Sequence, residues 1–125
     1  MKEAEYRQVI AKHSQEIGKA LGKMRTMFQT PQMQNKEWVG KAVVALAMVK
    51  NSADNPPSVP VPAKYNEVNI IYLKSMEKYS QATETMANGM DSMDTDQMLQ
   101  ASRPLNEGND HMNKATKLTS EINKQ

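Results

Sequence analysis

Tyr65, Tyr72 and Tyr79 stand seven residues apart, and Met86 and Met93 continue the series at the same step. Seven residues make about two turns of an α-helix, so all five positions fall near one stripe of a single long helix. The stretch that carries them, residues 63–91, reaches roughly 43 Å as a helix. A helix this long and this aromatic on one side needs partners along most of its length. The rest of the chain reads as three further helices, each with its own apolar stripe.

Residues 3–29 predict the first. Tyr6, Val9, Ile10, His13, Ile17, Ala20, Leu21, Met24, Met27 and Phe28 recur at steps of three and four, while Lys12, Lys19 and Lys23 fall off the stripe. Gly18 and Gly22 lower helix propensity and are expected to admit a closely packed neighbour. Thr30 and Pro31 suggest a cap and a fresh start, which places the second helix over residues 32–52. Its apolar set, Trp38, Val39, Ala42, Val43, Ala45, Leu46 and Val49, makes it the segment expected to be most buried, with the single tryptophan as a core anchor.

The clearest connector is residues 54–62, DNPPSVPVP, where four prolines exclude helix and favour extended polyproline geometry. Pro57 and Pro60 have the P-x-x-P spacing of a peptide ligand, but without a flanking arginine the segment reads as a connector. Pro62 then sits where a helix begins. Past the acidic turn at residues 91–96, with Asp94 or Thr95 as cap, the fourth helix is expected over residues 96–123. Met98, Leu105 and Met112 step by seven, as do Ala101, Gly108, Ala115 and Ile122. Because this spacing continues in register past Pro104, one helix bent near Arg103 is expected. The fold class is therefore all-α: a single domain over residues 1–125, an up-and-down antiparallel four-helix bundle with a proline-rich connector between helices two and three.

Composition agrees. Hydrophobic residues make up 38% of 125, a low share, but the net charge is only +2. Disorder wants low hydrophobicity together with high net charge, whereas helices with narrow apolar stripes need only the first. Residues 1–53 hold nine Lys or Arg against four Asp or Glu, and residues 54–125 seven against ten, so basic helices are expected to pack beside acidic ones. No dense basic run or aromatic-basic motif points to nucleic acid. No stretch is long and apolar enough to span a membrane, and the opening residues lack a signal-peptide pattern. There is no cysteine, hence no disulfide, thiolate metal site or cysteine nucleophile.

Chemistry-bearing patterns are few. His13 precedes Glu16 by three and Glu107 precedes His111 by four, and neither is the Glu-x-x-His element of a di-iron bundle. His13 reads as a half-buried core histidine. The eleven methionines, with Met86, Met90, Met93 and Met98 clustered, read as adaptable core filler before they read as a copper site. Asp91, Asp94 and Asp96 do not follow the calcium-loop pattern. No hydrolase elbow, phosphate loop, dinucleotide fingerprint or zinc-protease motif is found. No enzyme activity, metal or cofactor is expected. A ligand pocket, if the bundle has one, is expected where tyrosine gives way to methionine, at Tyr72, Tyr79 and Met86.

The run Val61-Pro62-Ala63-Lys64-Tyr65, then Tyr72 and Tyr79, an acidic turn, and Leu99, Ala101, Leu105, Gly108, Met112, Ala115 and Leu118 resembles the helical extracytoplasmic domains of small Gram-positive bacterial lipoproteins of unknown function. The resemblance covers residues 60–122, with an echo around Trp38. It departs from that family in having no signal peptide and no lipid-accepting cysteine. What it implies is a cell-surface helical module, with any membrane tether elsewhere, and no catalytic residue. The expected function is thus a non-enzymatic interaction or scaffolding module, monomeric or paired through its helices, that presents a helical face or groove to a protein or a small apolar ligand. The alternatives are a small-molecule or metal-binding bundle and a cytosolic helical adaptor or regulator.

Overall fold

The computed structural model describes residues 2–125 and is built of helices: α1 Lys2–Gln29, α2 Lys36–Asp54, α3 Asn66–Asp91, α4 Thr95–Gln100 and α5 Ser102–Asn123. The last two form one rod, so the architecture is the expected all-α four-helix arrangement. The sequence-adjacent pairs α1/α2 and α2/α3 pack together, and α3 packs on both α4 and α5. Among the described residues, no Cα of α1 comes within 8 Å of one in α5, so that seam is closed by side chains alone.

Three boundaries differ from expectation. Helix α2 starts at Lys36, not near residue 32, because Asn35 is the cap: its Oδ1 accepts from the Trp38 N–H at 3.1 Å. Pro31 lies in the connection before it. The long helix is preceded by a single 3₁₀ turn, Ala63–Tyr65, closed by the Tyr65 N–H on the Pro62 carbonyl. The fourth rod is divided at Ala101 and not bent at Arg103. Pro104 has no N–H to offer the Gln100 carbonyl and its ring crowds that group, so the interruption falls one turn upstream of the proline. The Ala101 N–H turns to Met98, while the Leu105 N–H still reaches Ala101, so backbone bonding continues across the break.

The tyrosine series is buried as its spacing requires, with Tyr65, Tyr72 and Tyr79 almost wholly out of water. Against it lie Ala101, Gly108, Ala115 and Ile122 of the fourth rod, all buried. Trp38 is an anchor: its ring meets Phe28 edge-on with centroids 5.4 Å apart, and its Nε1–H donates to the Met27 carbonyl at 3.2 Å. A second, smaller cluster of Tyr6, Tyr65, Val68, Ala115 and Ile122 closes the end where α3 begins.

Two packing expectations are corrected. Gly18 and Gly22 are exposed, and a Cβ on either would meet nothing within 4 Å, so they do not seat a neighbouring helix of this chain. Nor is α2 uniformly buried. Trp38, Ala42, Ala45, Leu46, Val49 and Ala53 face inward, but Val43 and Val44 stand 53% and 58% exposed. A helix with apolar residues all round can present only one side to the core it helps to build.

The proline connector runs along the flank of the bundle. The Ser80 hydroxyl donates to Asp54 at 2.6 Å, which places the end of α2 level with Ser80. The first residue of α3 is Asn66. Those fourteen positions of helix correspond to about 21 Å and the 3₁₀ turn before them adds about 6 Å, while the nine steps of extended chain from Asp54 to Ala63 cover about 28 Å. Val59 and Val61 pack onto the Tyr6–Tyr65 cluster on the way, so the connector covers a side that α2 is too short to reach.

Candidate functional site: two grooves flanking the tyrosine helix

Each tyrosine of the series Tyr65, Tyr72 and Tyr79 ends on polar groups from the helices opposite. The Tyr65 hydroxyl donates to Asn123 Oδ1 at 2.5 Å and accepts from Arg7 at 3.1 Å. The Tyr79 hydroxyl donates to Asn109 Oδ1 at 2.7 Å, and Arg25 donates to the same oxygen at 3.3 Å. Asn109 and Asn123 lie fourteen residues apart on α5, and Tyr65, in the 3₁₀ turn that leads into α3, is likewise fourteen residues from Tyr79, so the two rungs repeat with the helical period.

The middle rung uses the buried histidine. His13 Nε2 is 2.7 Å from the Ser52 carbonyl, which can only accept, so Nε2 carries a hydrogen. Nδ1, 2.5 Å from the Tyr72 hydroxyl, accepts from it, and Ser14 in turn donates to Tyr72 at 3.3 Å. Hydrogens therefore run in one direction, from Ser14 through Tyr72 and His13 to α2. Burial pushes the hydroxyls of Tyr72 and Tyr6 up to about 12 and raises that of Tyr79. All three are donors at neutral pH. Among the described residues, no buried side-chain nitrogen or oxygen lacks a partner.

Beside this ladder lie two open grooves. The narrower, about 270 Å³, follows the α1/α5 seam, with Tyr65, Tyr72 and Val68 as floor and Ile10, Met112 and Ala115 on its walls. The wider, about 710 Å³, lies between α2 and α3 toward the opposite end. Val39, Val43 and Leu46 form one wall, Ala87 and Met90 the other, and Met33 and Met93 close the end. On its rim Lys50 is 3.0 Å from Asp54 and 2.9 Å from Glu84, and both carboxylates favour its charged form.

Of the residues expected to form a pocket, Tyr72 floors the narrow groove, while Tyr79 and Met86 line neither groove. Met86 is half-buried against the main core. The wide groove does open where tyrosine gives way to methionine, but on the adjacent face of α3, through Thr83, Glu84 and Ala87. Met33 was not foreseen, because it comes from a connection with no periodic signal. His111 takes no part in either groove. Among the described residues, no three His, Asp or Glu side chains converge on a point that would hold a metal. Among the described residues, no helix is long and apolar enough to cross a membrane.

Fold and site together define a small four-helix bundle with unoccluded grooves between its helices. Comparison of the chain with protein-family models, with curated proteins and with solved structures gives no match.

Proposed function

We propose that the chain is a non-enzymatic interaction module, displayed outside the cytoplasm, that seats the apolar face of a partner helix in the α2/α3 groove. One observation supports this above the others: Val43 and Met93, 53% and 60% exposed, stand on the walls of a groove of about 710 Å³. Exposed apolar side chains that are contiguous with a groove mark interaction surfaces, whereas scattered ones do not. A partner helix presents side chains at i, i+3, i+4 and i+7, and methionines on the receiving surface adapt to differing shapes. Display at the cell surface rests on the resemblance to lipoprotein domains, and a tether on this reading lies outside residues 1–125. The reading assigns no catalytic residue, since the buried polar groups satisfy one another.

The chain has no cysteine, so Val43→Cys and Met93→Cys each create a single attachment point for a photo-crosslinker. On intact source cells, both positions should crosslink one partner, while the exposed Glu16→Cys on α1 should not. Equal labelling at all three would sink the proposal, and protection of the chain from added protease on intact cells would sink surface display.

A second reading, a small apolar ligand, is favoured by the tyrosine-floored groove of about 270 Å³. Ala115→Phe would fill that groove and should abolish binding of an apolar dye there while leaving crosslinking at Val43 unchanged. A helix-paired cytosolic adaptor is the third. It draws on the exposed Val44 and Met48 of α2 and would appear as a concentration-dependent mass in sedimentation.

A further inference from the structure

The methionines of the chain have unequal places in the fold, and Met93 does not behave as filler. Met24, Met76, Met90 and Met98 are buried in the main core, Met27, Met33, Met86 and Met112 pack against it, and Met93 is exposed. Met33, Met90, Met93 and Met98 gather at one end of the bundle. Met33, from the α1–α2 connection, and Met93, from the α3–α4 turn, both line the wide groove together with Met90. The same two line an adjoining hollow of about 430 Å³ together with Met98. Four methionines from three segments of the chain thus line two hollows that share Met33 and Met93.

Met93 is the informative member. It follows α3 as the residue that ends the helix: its N–H bonds the Met90 carbonyl, and the Asp94 N–H bonds Gly89. That paired arrangement needs a left-handed residue, and Met93 has φ 53°, the only positive φ at a non-glycine position among the described residues. Glycine is the usual occupant, because an L side chain raises the backbone energy there. The side chain gains no burial in return, being 60% exposed. Local rules are most often broken at functional positions. The support behind it is tight: a Cβ on Gly89 would stand 2.6 Å from Met98 Cγ, and Asp94 Oδ1 caps α4 by accepting from the Gln97 N–H.

We infer that Met33, Met90, Met93 and Met98 form a binding site for a soft monovalent cation, Cu(I). Thioether sulfur is neutral and polarisable, and it selects Cu(I) over Zn(II) or Mg(II), which want imidazole, thiolate or oxygen donors. A thioether carries no proton at ordinary pH, so binding should be insensitive to pH between about 5 and 8, unlike a histidine site. Asp91 lines the groove beside Met90 and Met93 and favours a cation there. Binding would join the α1–α2 connection to the α3–α4 turn and fix the mouth of the groove. The site does not depend on the partner-helix reading, because the cation needs no partner protein.

The test uses the full chain with Cu(I) under anaerobic conditions against a competing chelator, and with Ag(I) as an air-stable probe. One Cu(I) per chain is expected, with shifts of the Met33 and Met93 methyl resonances on adding Ag(I). Met93→Gly keeps the backbone conformation while removing a sulfur, so the thermal midpoint should hold or rise as Cu(I) affinity falls at least about tenfold, the lower end of what lost supporting groups cost a metal site. Met33→Leu should weaken binding comparably, and Met112→Leu should not. Wild-type affinity in the Met33→Leu/Met93→Gly double variant would overturn the assignment. So would methyl shifts confined to other methionines, or the absence of stoichiometric binding by the wild-type chain.

Discussion

Tyr79 and Gly108 meet in tight contact between α3 and α5: a Cβ on Gly108 would stand 2.7 Å from Tyr79 Cε1 and 3.3 Å from the Ser75 carbonyl. The Ser75 hydroxyl donates to the Gly108 carbonyl at 2.7 Å, so the two backbones are held together at this level. Gly108→Ala must push the Tyr79 ring aside and strain its bond to Asn109. A loss of roughly 1–3 kcal/mol is expected, the usual scale of overpacking. Gly22→Ala, where the added methyl meets open space, should instead gain up to about 1 kcal/mol from helix propensity. Urea unfolding of both variants checks the pair, and a neutral Gly108→Ala would mean that the helices do not approach this closely.

Tyr72→Phe keeps the ring and removes the hydroxyl that supplies His13 Nδ1. The buried imidazole then has an acceptor without a donor, and a loss of about 1–3 kcal/mol follows from an unsatisfied buried group. Tyr72→Ala, which also leaves a cavity, should cost about 3–5 kcal/mol. Nitrogen NMR of the wild-type chain should show the Nε2–H form of His13. The Nδ1–H form would refute the direction of the hydrogen-bond chain, whatever the stability data say.

The long axis of the bundle was legible because a buried helix must repeat its apolar residues with its turns. The tyrosines at steps of seven and the small residues from Ala101 to Ile122 both declare the face on which they pack. The same logic misled for α2, whose valines and alanines read as core on every side. Periodicity shows which residues are able to be buried and does not show whether a neighbour exists for Val43 and Val44. It also misplaced the start of α2, since Pro31 is a plausible first residue but Asn35 has the side chain that reaches the Trp38 N–H. The grooves escaped for a related reason. A groove is a gap between two elements, and its end is closed by Met33, which lies sixty residues from Met93.

Alkaline titration should report the buried tyrosines directly. Tyr6 and Tyr72 lose their protons at about 12 in the folded chain, raised chiefly by burial, against about 10 when unfolded. A folded value above the unfolded one stabilises fully below pH 10, and that stabilisation drains away as pH rises toward 12. Absorbance at the tyrosinate band should therefore rise late, together with loss of the helical circular dichroism signal. Complete ionisation near pH 10 with the helices intact would show that the hydroxyls are open to water.

Changes in connector length should have unequal effects. The nine steps from Asp54 to Ala63 have about 28 Å of polyproline reach for a distance of about 27 Å, so there is little slack. Deleting Pro57, Ser58 and Val59 leaves six steps and about 19 Å. The shortfall has to come from the last turn of α2, which would pull Asp54 away from Lys50 and Ser80 and lift Val61 off the Tyr6–Tyr65 cluster. Inserting three glycines after Ser58 asks only for a slightly longer loop, at a few tenths of a kcal/mol, since closure entropy grows with the logarithm of length. The deletion should lower the urea midpoint and reduce helical signal while the insertion changes neither measurably. Equal tolerance of both would place the connector across an end of the bundle and not along its flank.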